Sequence, residues 1–511
     1  MKSVFGFRRW LMLGMCGCLV STARADQPGF DHLTEMAQRL EAAESRIQEL
    51  EARRLPVLEA SHTFNVAWAD DEAADAKDGE KKDDLADRVE KLEKELDKAK
   101  EKEEKAKKAA AGKPTQKWSG RIHADYWSFP GEDDGANVLE TGNAANDIAD
   151  RIQFRRVRFG VAGTMFDTML YKIEMEFAHP NDPAMKDVYL GWQELPIFQT
   201  VLMGNQKRPY GLDHLNSSRY NVFMERPFVI EAFNQDARRL GVCAYGTTKD
   251  EAYNWRYGAF LSTDAQGTGS YQIVDNPGMH HYQGELAGRF ANTIWYDETS
   301  DGRGYAHWAI SGTTAFPDGT AGGANTGRFR TRPEARTSNR WIDTGNIAGA
   351  NTYELLGLEG VVNLGPLQWV GELQSTWLQR RGATRDELQF YGGYMYLSYF
   401  ITGEHIPWER ESGTIGRVKP FENFFLVDRC CGGSGWGMGA WQVAARYSYA
   451  DFNEADIFGG VGSAMSVALN WHWTPYSRMQ FNYMVGDIED RGVALTNANY
   501  NILGARFMVD F

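Results

Sequence analysis

The chain is short of cysteine and of long apolar runs, and both shortages narrow the class of protein. Only five cysteines occur in 511 residues. Three of them follow the N-terminal leader, residues 1–25, and an odd number argues against a disulfide framework. No segment after the leader has the ~18 continuous apolar residues of a membrane helix, and mean hydropathy is −0.49. The ten histidines lack metal-ligand spacing, and no nucleophile set or phosphate-cradling glycine loop is present. We therefore expect no enzyme, no catalytic residues, no cofactor and no metal; Cys430-Cys431 are interpreted as a loop pair rather than a metal site.

The first residues predict export. Arg8 and Arg9 precede an apolar stretch, Trp10–Val20, which is followed by the small-residue pattern Ala23-Arg24-Ala25. This arrangement is typical of a secretory signal peptide. We predict that residues 1–25 are removed.

Two segments that follow have helical periodicity. Residues 26–55 and 85–112 repeat apolar positions every three to four residues, with charged residues between them. These are short heptad patterns, typical of a coiled coil, although solitary charged helices are the alternative. Residues 56–84 break the pattern and are acidic and rich in alanine, which indicates a linker. We expect these helices to lie in the periplasm.

The rest of the chain, residues 118–511, reads as strand after strand. In the last strand every second residue is apolar. These residues are Leu503, Ala505, Phe507, Val509 and Phe511. A period of two with an aromatic last residue is typical of an outer-membrane β-barrel. Aromatic residues make up 13% of the chain, as the two interfacial girdles of a barrel require. The fold class predicted is an all-β transmembrane barrel of about 16 antiparallel strands, or 18 if residues 328–347 add a hairpin to the wall, preceded by a helical coiled-coil segment.

Two long connections stand out between these strands. With both ends of the barrel in the periplasm, parity places residues 209–235 on the extracellular side. We expect this segment to fold into the lumen and narrow it, the alternative being a surface flap. Parity places residues 403–435 on the periplasmic side, where barrel turns are normally short. The sequence does not explain why this periplasmic connection is so long.

Several segments, taken in order, resemble the phosphate-selective porin O and P family. They are Arg155–Phe166, Gly204–Gly211, Phe223–Pro227, Arg330–Glu334, Asp343–Gly345, Tyr399–Glu404 and Gly439–Ser448. The resemblance covers nearly all of residues 152–511. It implies an outer-membrane porin, usually trimeric, that passes small anions, phosphate or polyphosphate among them. The partners expected are therefore outer-membrane lipid, small anions and two further copies of the chain, with no nucleic acid; the coiled coil is an addition to the family's core.

Net charge does not explain an anion preference. After residue 117 there are 28 Arg and 5 Lys against 45 Asp and Glu, a net charge of −12, so the placement of the cations must decide selectivity. Arg suits bidentate recognition of phosphate or carboxylate, and a mid-depth Arg on the lipid face would cost roughly 2–4 kcal/mol. The candidate anion-binding or pore-lining residues are Arg156, Arg158, Arg208, Arg219, Arg226, Arg239, Arg256, Arg289, Arg328, Arg330 and Arg332. The alternative is that these Arg pair with lumen carboxylates such as Glu174, Glu176, Glu285 and Glu372.

Two function classes remain open at this point. One is a water-filled channel for small anions. The other is a structural envelope protein, in which the barrel anchors a periplasmic coiled-coil spacer. An open lumen favours the channel, and a blocked lumen favours the anchor.

Overall fold

The structure is a computed structural model that describes the barrel portion of the chain. It covers Lys98 and residues 113–179, 181, 183–234, 237–261, 284–316, 326–381, 387–428, 433–492 and 497–511. Apart from Lys98, the predicted signal peptide, coiled-coil helices and linker lie outside the described residues, as does the Cys430-Cys431 pair, and these stay predictions. None of the helices in the described ranges is long and apolar enough to cross a membrane.

Sixteen antiparallel strands close into one barrel. Each is hydrogen-bonded to its neighbour in the sequence, and the last pairs with the first. They are β1 (Lys117–Ser128), β2 (Arg151–Met165), β3 (Met169–Glu176), β4 (Ala184–Leu195), β5 (Gln199–Gln206), β6 (Arg239–Thr247), β7 (Tyr253–Leu261), β8 (Gly284–Tyr296), β9 (Gly304–Phe316), β10 (Ala350–Leu364), β11 (Leu367–Arg380), β12 (Glu387–Phe400), β13 (Ala440–Glu454), β14 (Ile457–Thr474), β15 (Ser477–Arg491) and β16 (Ala498–Asp510). The predicted count of sixteen is confirmed.

The region that could have made the count eighteen forms two small sheets of its own. Thr326–Gly327 pairs with Ile347–Ala348, and Arg330–Thr331 pairs with Ile342–Asp343. Neither joins the barrel wall. Three short helices complete the described connections: α1 (Asp134–Thr141), α2 (Leu212–Leu215) and α3 (Phe228–Phe233), together with a 3₁₀ turn at Glu298–Ser300.

The alternation that predicted the strands also sorts their side chains. On β16, Leu503 and Phe507 are about 40% exposed on the outer wall, whereas Arg506 and Asp510 are buried inside. The apolar set faces lipid because only such side chains are stable there, and the polar set faces the lumen. The inner set is buried because connecting segments fill much of the lumen.

The barrel closes where β16 meets β1. Arg121 pairs in register with Asp510, and the ladder continues to Ser128 opposite Leu503. Phe511 extends it, since Gly120 and Phe511 exchange both backbone hydrogen bonds, at 3.0 and 3.2 Å. The Phe511 ring lies over Gly120, where a Cβ atom would come within 2.3 Å of it. Gly120 therefore leaves room for the terminal aromatic ring in the position that it occupies here.

Deleting Phe511 should reduce the fraction of barrel that assembles. The deletion removes two closing hydrogen bonds and the ring that covers Gly120, at the seam that every other strand depends on. Heat-modifiable migration of the folded barrel in gel electrophoresis measures the fraction. Phe511→Tyr keeps the ring and the backbone and should assemble normally; equal assembly of the truncated protein would show that the terminal residue is dispensable.

The two ends of the barrel differ in the length of their connections. At the end where β1 starts and β16 finishes, six of seven turns span two to seven residues: 166–168, 196–198, 248–252, 297–303, 365–366 and 475–476. Short turns mark the periplasmic end of such barrels, and the opposite end is extracellular. The seventh periplasmic connection, residues 401–439, is the exception.

Three long connections enter the lumen. We call the described residues of 207–238 the first lumen loop, those of 326–349 the second, and those of 401–439 the third. The first two start at the extracellular end and the third at the periplasmic end. The first loop crosses to the far wall, where its Val222 carbonyl accepts from Asn470 on β14 and from Gln480 on β15. The predicted lumen position of residues 209–235 is therefore confirmed.

Aromatic packing fastens the first two loops to the wall. Phe233 of α3 lies 5.5 Å, centroid to centroid, from Phe329 of the second loop and 5.6 Å from Phe452 of β13. Phe329 in turn lies 5.4 Å from Phe390 of β12. Gly211 has φ +75°, and a Cβ there would lie 2.7 Å from the side-chain amide of Gln374, so only glycine lets the first loop approach β11 this closely.

The first half of the third loop packs inside the lumen against β7, β8 and β9. Arg289 donates to the Gly413 carbonyl at 2.8 Å, and Arg256 donates to the Ser412 carbonyl at 2.9 Å. The backbone amide of Ile415 donates to the Asn216 side chain of the first loop. Part of the length that the sequence left unexplained therefore enters the lumen from the periplasmic side.

Candidate anion site

A cavity of about 800 Å³ lies in the lumen between the wall of β1–β5 and the first two lumen loops. Its lining is strongly basic, with thirteen cationic side chains and four carboxylates. The cations are Arg121, Arg155, Arg156, Arg158, Lys172, Lys186, Lys207, Arg219, Arg226, Arg238, Arg332, Arg336 and Arg340; the carboxylates are Glu176, Asp187, Glu225 and Glu231. A net negative chain thus surrounds a locally positive space, because the acidic excess lies elsewhere.

A β-bulge concentrates three arginines on one short stretch of β2. His123 on β1 pairs with Arg156, yet the next residue, Ala124, pairs with Phe154. Arg155 is therefore an additional residue without a partner on β1, and the bulge turns its side chain inward. Arg155, Arg156 and Arg158 all line the cavity, whereas the Phe154 side chain is exposed on the outer wall.

Arg156 is buried, and no carboxylate of the described residues lies at ion-pair distance from it. Only 4% of it is exposed, and it shares a hydrogen bond with His123 Nδ1 at 3.3 Å. Its Nε atom is buried with no partner. A buried guanidinium without a counter-ion is costly unless an anion or water meets it. Among the cavity residues, Arg156 is the arginine whose geometry most requires an anionic ligand.

The other wall arginines are held by carboxylates. Arg158 Nε donates to Glu176 at 2.6 Å and its Nη1 donates to Glu174 at 3.1 Å. Arg155 Nε donates to Glu225 of the first lumen loop at 2.7 Å. These pairs confirm part of the alternative reading, that lumen arginines meet lumen glutamates. They also fix the guanidinium planes while leaving them on the cavity surface.

Glu225 is shared between two arginines. Its carboxylate accepts from Arg155 and, at 2.7 Å, from Arg506 of β16. Burial alone would raise the pKa of Glu225, but Arg155 and Arg506 hold that pKa well below its usual range. Glu225 is therefore a fixed negative charge on the wall of a positive cavity.

The first lumen loop contributes Arg219 and Arg226. Arg226 Nε pairs with Asp213 at 2.9 Å, and Arg219 Nε pairs with Asp510 at 3.2 Å. Arg219 also lines a much smaller space toward the periplasmic rim, beside Arg417 and Arg478. Guanidinium groups therefore line a path that leads from the main cavity toward the periplasm.

The second lumen loop adds three arginines at the extracellular side of the cavity. Arg332 Nη1 pairs with Glu231 at 2.7 Å. Arg336 and Arg340 have no carboxylate at ion-pair distance among the residues described here. Burial, and then Arg155, lower the pKa of Arg336 to about 10, and burial, and then Arg332, lower the pKa of Arg340 to about 10. Both side chains therefore stay charged at neutral pH.

Four of the candidates lie elsewhere in the lumen. Arg208 and Arg239 both pair with Glu285, at 2.9 and 3.4 Å. Arg256 and Arg289 are neighbours across β7 and β8, and their guanidinium groups bind carbonyls of the third loop. None of these four lines the cavity, and Arg256 and Arg289 hold the third lumen loop instead.

Arg328, Arg330 and Arg332 do not act as one row. Arg328 Nε donates to Asp343 at 2.8 Å, and Arg330 lies opposite Asp343 in the small ladder. Only Arg332 reaches the cavity. The residues between these arginines, Phe329 and Thr331, are buried. Their i, i+2 spacing does not produce a single cationic row, because the regular pairing ends after two residues and the chain then turns.

The second lumen loop is held in place by α1. Asp133 caps α1 by accepting from the Ala136 amide at 2.9 Å, and Gly142 ends it in the left-handed conformation. Glu140, near the end of α1, is buried and accepts from the amides of Ser338 and Asn339 at 2.7 and 3.1 Å. It also accepts from the Trp341 indole at 2.9 Å. One carboxylate thus organises the loop that holds Arg332, Arg336 and Arg340.

Replacing Glu140 by Ala should loosen the second lumen loop without opening the barrel. Three donors of that loop would lose their acceptor, and breaking such a buried charged cluster costs about 3–5 kcal/mol, while no barrel ladder changes. We expect faster protease cleavage between residues 326 and 349 and noisier single-channel current. Glu140→Gln keeps one acceptor oxygen and should give an intermediate effect. Wild-type cleavage rates and current noise in both variants would contradict this role.

The candidates drawn from the sequence miss several residues of the cavity. The signal for Arg155 was present, because two consecutive arginines inside a strand would place one on the lipid face, and a bulge avoids that cost. Three of the five barrel lysines line the cavity, namely Lys172, Lys186 and Lys207. Arg336 and Arg340 lie in an irregular loop whose periodicity carries no signal.

Comparison with known proteins places this chain. An uncharacterised protein of Caulobacter vibrioides is 27% identical over 365 residues, which is 70% of this chain and 68% of the relative. An anion-selective porin from Comamonas acidovorans is 10% identical with a TM-score of 0.45, over 78% of this chain and 100% of that one. The outer-membrane channel DcaP of Acinetobacter baumannii is 11% identical with a TM-score of 0.44, over 78% and 97% of the two chains. Residues 117–511, the whole barrel, match the family described as phosphate-selective porin O and P, and the chain belongs to this family of outer-membrane porins.

Proposed function

We propose that the barrel conducts small anions across the outer membrane and that phosphate is among them. The observation that carries this proposal is the cavity, in which thirteen cationic side chains face four carboxylates. A pore selects charge through the side chains at its narrow part, and here all four carboxylates already pair with Arg or Lys. The surplus is therefore positive.

Phosphate fits the chemistry of the surplus groups. Arg156 offers a buried guanidinium without a carboxylate, and Arg336 and Arg340 lie on the extracellular side. Guanidinium groups bind phosphate oxygens in pairs and remain charged in any setting. A phosphate ion entering from outside would meet the loop arginines first and the β2 arginines next. The 800 Å³ cavity has room for more than one such ion or for a short polyphosphate.

Inorganic phosphate should block chloride current through the purified protein in a planar bilayer. A binding site inside the conducting path delays each phosphate ion, and chloride cannot pass while it is there. We expect saturable block at low ionic strength, where charges are screened least, and weaker block as KCl is raised. Phosphate without any effect on chloride current, at a salt concentration that leaves charges unscreened, would contradict a phosphate site in the path.

We also propose that the protein assembles as a homotrimer. The proposal rests on family membership, with barrel contacts supplying most of the affinity and the predicted heptads adding to it. Chemical cross-linking of membranes should give trimers for the full-length protein and a smaller yield after deletion of residues 26–112. Monomers in both forms would contradict it.

A further inference from the structure

The third lumen loop does not end inside the barrel. Its first half is buried in the lumen, where Trp408 and Ile415 are 5% and 3% exposed. Its second half leaves the lumen and forms a two-stranded hairpin, in which Phe425–Asp428 pairs with Ser434–Gly437. This hairpin belongs to no other sheet of the described structure.

The hairpin lies against the outer wall at the periplasmic rim. The backbone amide of Phe424 donates to the Trp473 carbonyl at 2.7 Å, and the Trp471 indole donates to the Met438 carbonyl at 2.8 Å. The Phe424 ring packs on Trp471 with centroids 4.6 Å apart. Trp471 and Trp473 alternate with the buried His472, so they are on the lipid-facing side of β14. They lie within the last four residues of that strand, at its periplasmic end.

Large apolar side chains project from this hairpin. Phe425 and Leu426 are 50% and 63% exposed, and the Phe425 ring packs edge-on against Trp436 with centroids 5.0 Å apart. Trp436 is 61% exposed and pairs with Leu426. Through Phe424, the hairpin continues the stack of Trp441 on Trp471. That stack lies on the outer wall in the interfacial aromatic belt, where the surrounding medium is lipid.

We propose that this hairpin is a membrane anchor, embedded in the periplasmic leaflet of the outer membrane at the boundary between phospholipid headgroups and acyl chains. Its depth is limited because a two-stranded ribbon keeps unpaired amides and carbonyls along its edges, which the hydrocarbon core does not accept. Asp428 pairs with Ser434 at the end of the ladder away from Phe425. The anchor ties the outer half of the third lumen loop to lipid and its inner half to the lumen wall.

Photo-cross-linking identifies what surrounds the hairpin. Benzoylphenylalanine is placed at Leu426 in the full-length protein, and intact outer membranes are irradiated before the protein is purified and weighed. The same residue at Phe507, on the lipid-facing wall, is the positive control, and at Lys249, in an exposed periplasmic turn, it is the negative control. We expect phospholipid adducts at Leu426 at a yield similar to that at Phe507 and at least about fivefold above that at Lys249.

Three results would overturn the proposal: a covalent dimer of the chain, an adduct with another segment of the same chain, or a lipid yield no higher than at Lys249. Heat-modifiable migration shows that each labelled barrel is folded. If the Leu426 variant does not assemble, benzoylphenylalanine at Trp436 makes the same test from the paired strand, with the same expected and contradicting results.

Discussion

The variant Arg156→Glu should lose most of the phosphate block and much of the anion preference. Arg156 is a wall arginine with no carboxylate at ion-pair distance among the described residues, so the substitution breaks no ion pair there and places a negative charge where an anion would bind. A hydrogen bond to a charged group contributes about 1.5–3 kcal/mol. Because ~1.4 kcal/mol is a factor of ten, phosphate should bind about tenfold to a hundredfold more weakly. Glu is a better probe than Ala because it also reverses the local field.

The matched control is Lys249→Glu. It makes the same change of charge in an exposed turn at the periplasmic end, outside the cavity. Phosphate block and reversal potential should match those of the wild type. If both substitutions changed the block equally, the overall charge of the barrel would explain selectivity and Arg156 would have no special role.

Replacing Glu225 by Gln should have the opposite effect and strengthen anion binding. Glu225 neutralises Arg155 and Arg506 from inside the positive cavity. Gln occupies the same space without the charge, so two guanidinium groups gain attraction for an entering anion. Arg506 keeps two hydrogen bonds to Asp125, both at 2.7 Å, which should preserve the wall. We expect phosphate to block at a roughly tenfold lower concentration and to leave the cavity more slowly.

The control for this variant is Glu411→Gln, which removes one negative charge at an exposed position of the third lumen loop. It should leave block unchanged. Weaker block in Glu225→Gln, together with a normally folded barrel, would mean that Glu225 acts by orienting Arg155 rather than by offsetting its charge. The folded fraction, measured by heat-modifiable migration, separates this result from a misassembled barrel.

The wall of the barrel was predictable because each strand obeys one rule. A lipid-facing position excludes charge and a lumen position accepts it, so alternation in residues 502–511 predicted both the strand and its faces. The two-residue ladders at 330–331 and 342–343 obey the same rule over too short a length to be distinguished from wall strands. The sequence was therefore compatible with a barrel of either sixteen or eighteen strands. The direct pairing of β9 with β10 decides for sixteen.

The site was less predictable because it depends on departures from regular structure. Alternation assigns Arg156 and Arg158 to the lumen, but it assigns Arg155 to lipid, and a bulge reverses that. The residues that meet across the cavity, such as Arg155 and Glu225, are 70 positions apart. The local sequence around either residue carries no signal for this contact. The sequence does show which loops are long enough to reach the lumen, and for residues 209–235 this was sufficient.

The most direct measurement of the central claim is the zero-current potential of the wild-type protein in a planar bilayer with a KCl gradient at low ionic strength. Potassium and chloride have nearly equal mobility in water, so the sign reports the charge of the narrow region alone. The positive cavity predicts a potential of the sign set by chloride, reduced by Arg156→Glu and unchanged by Lys249→Glu. A potential of the sign set by potassium would contradict the account, because the cavity arginines would then lie outside the conducting path.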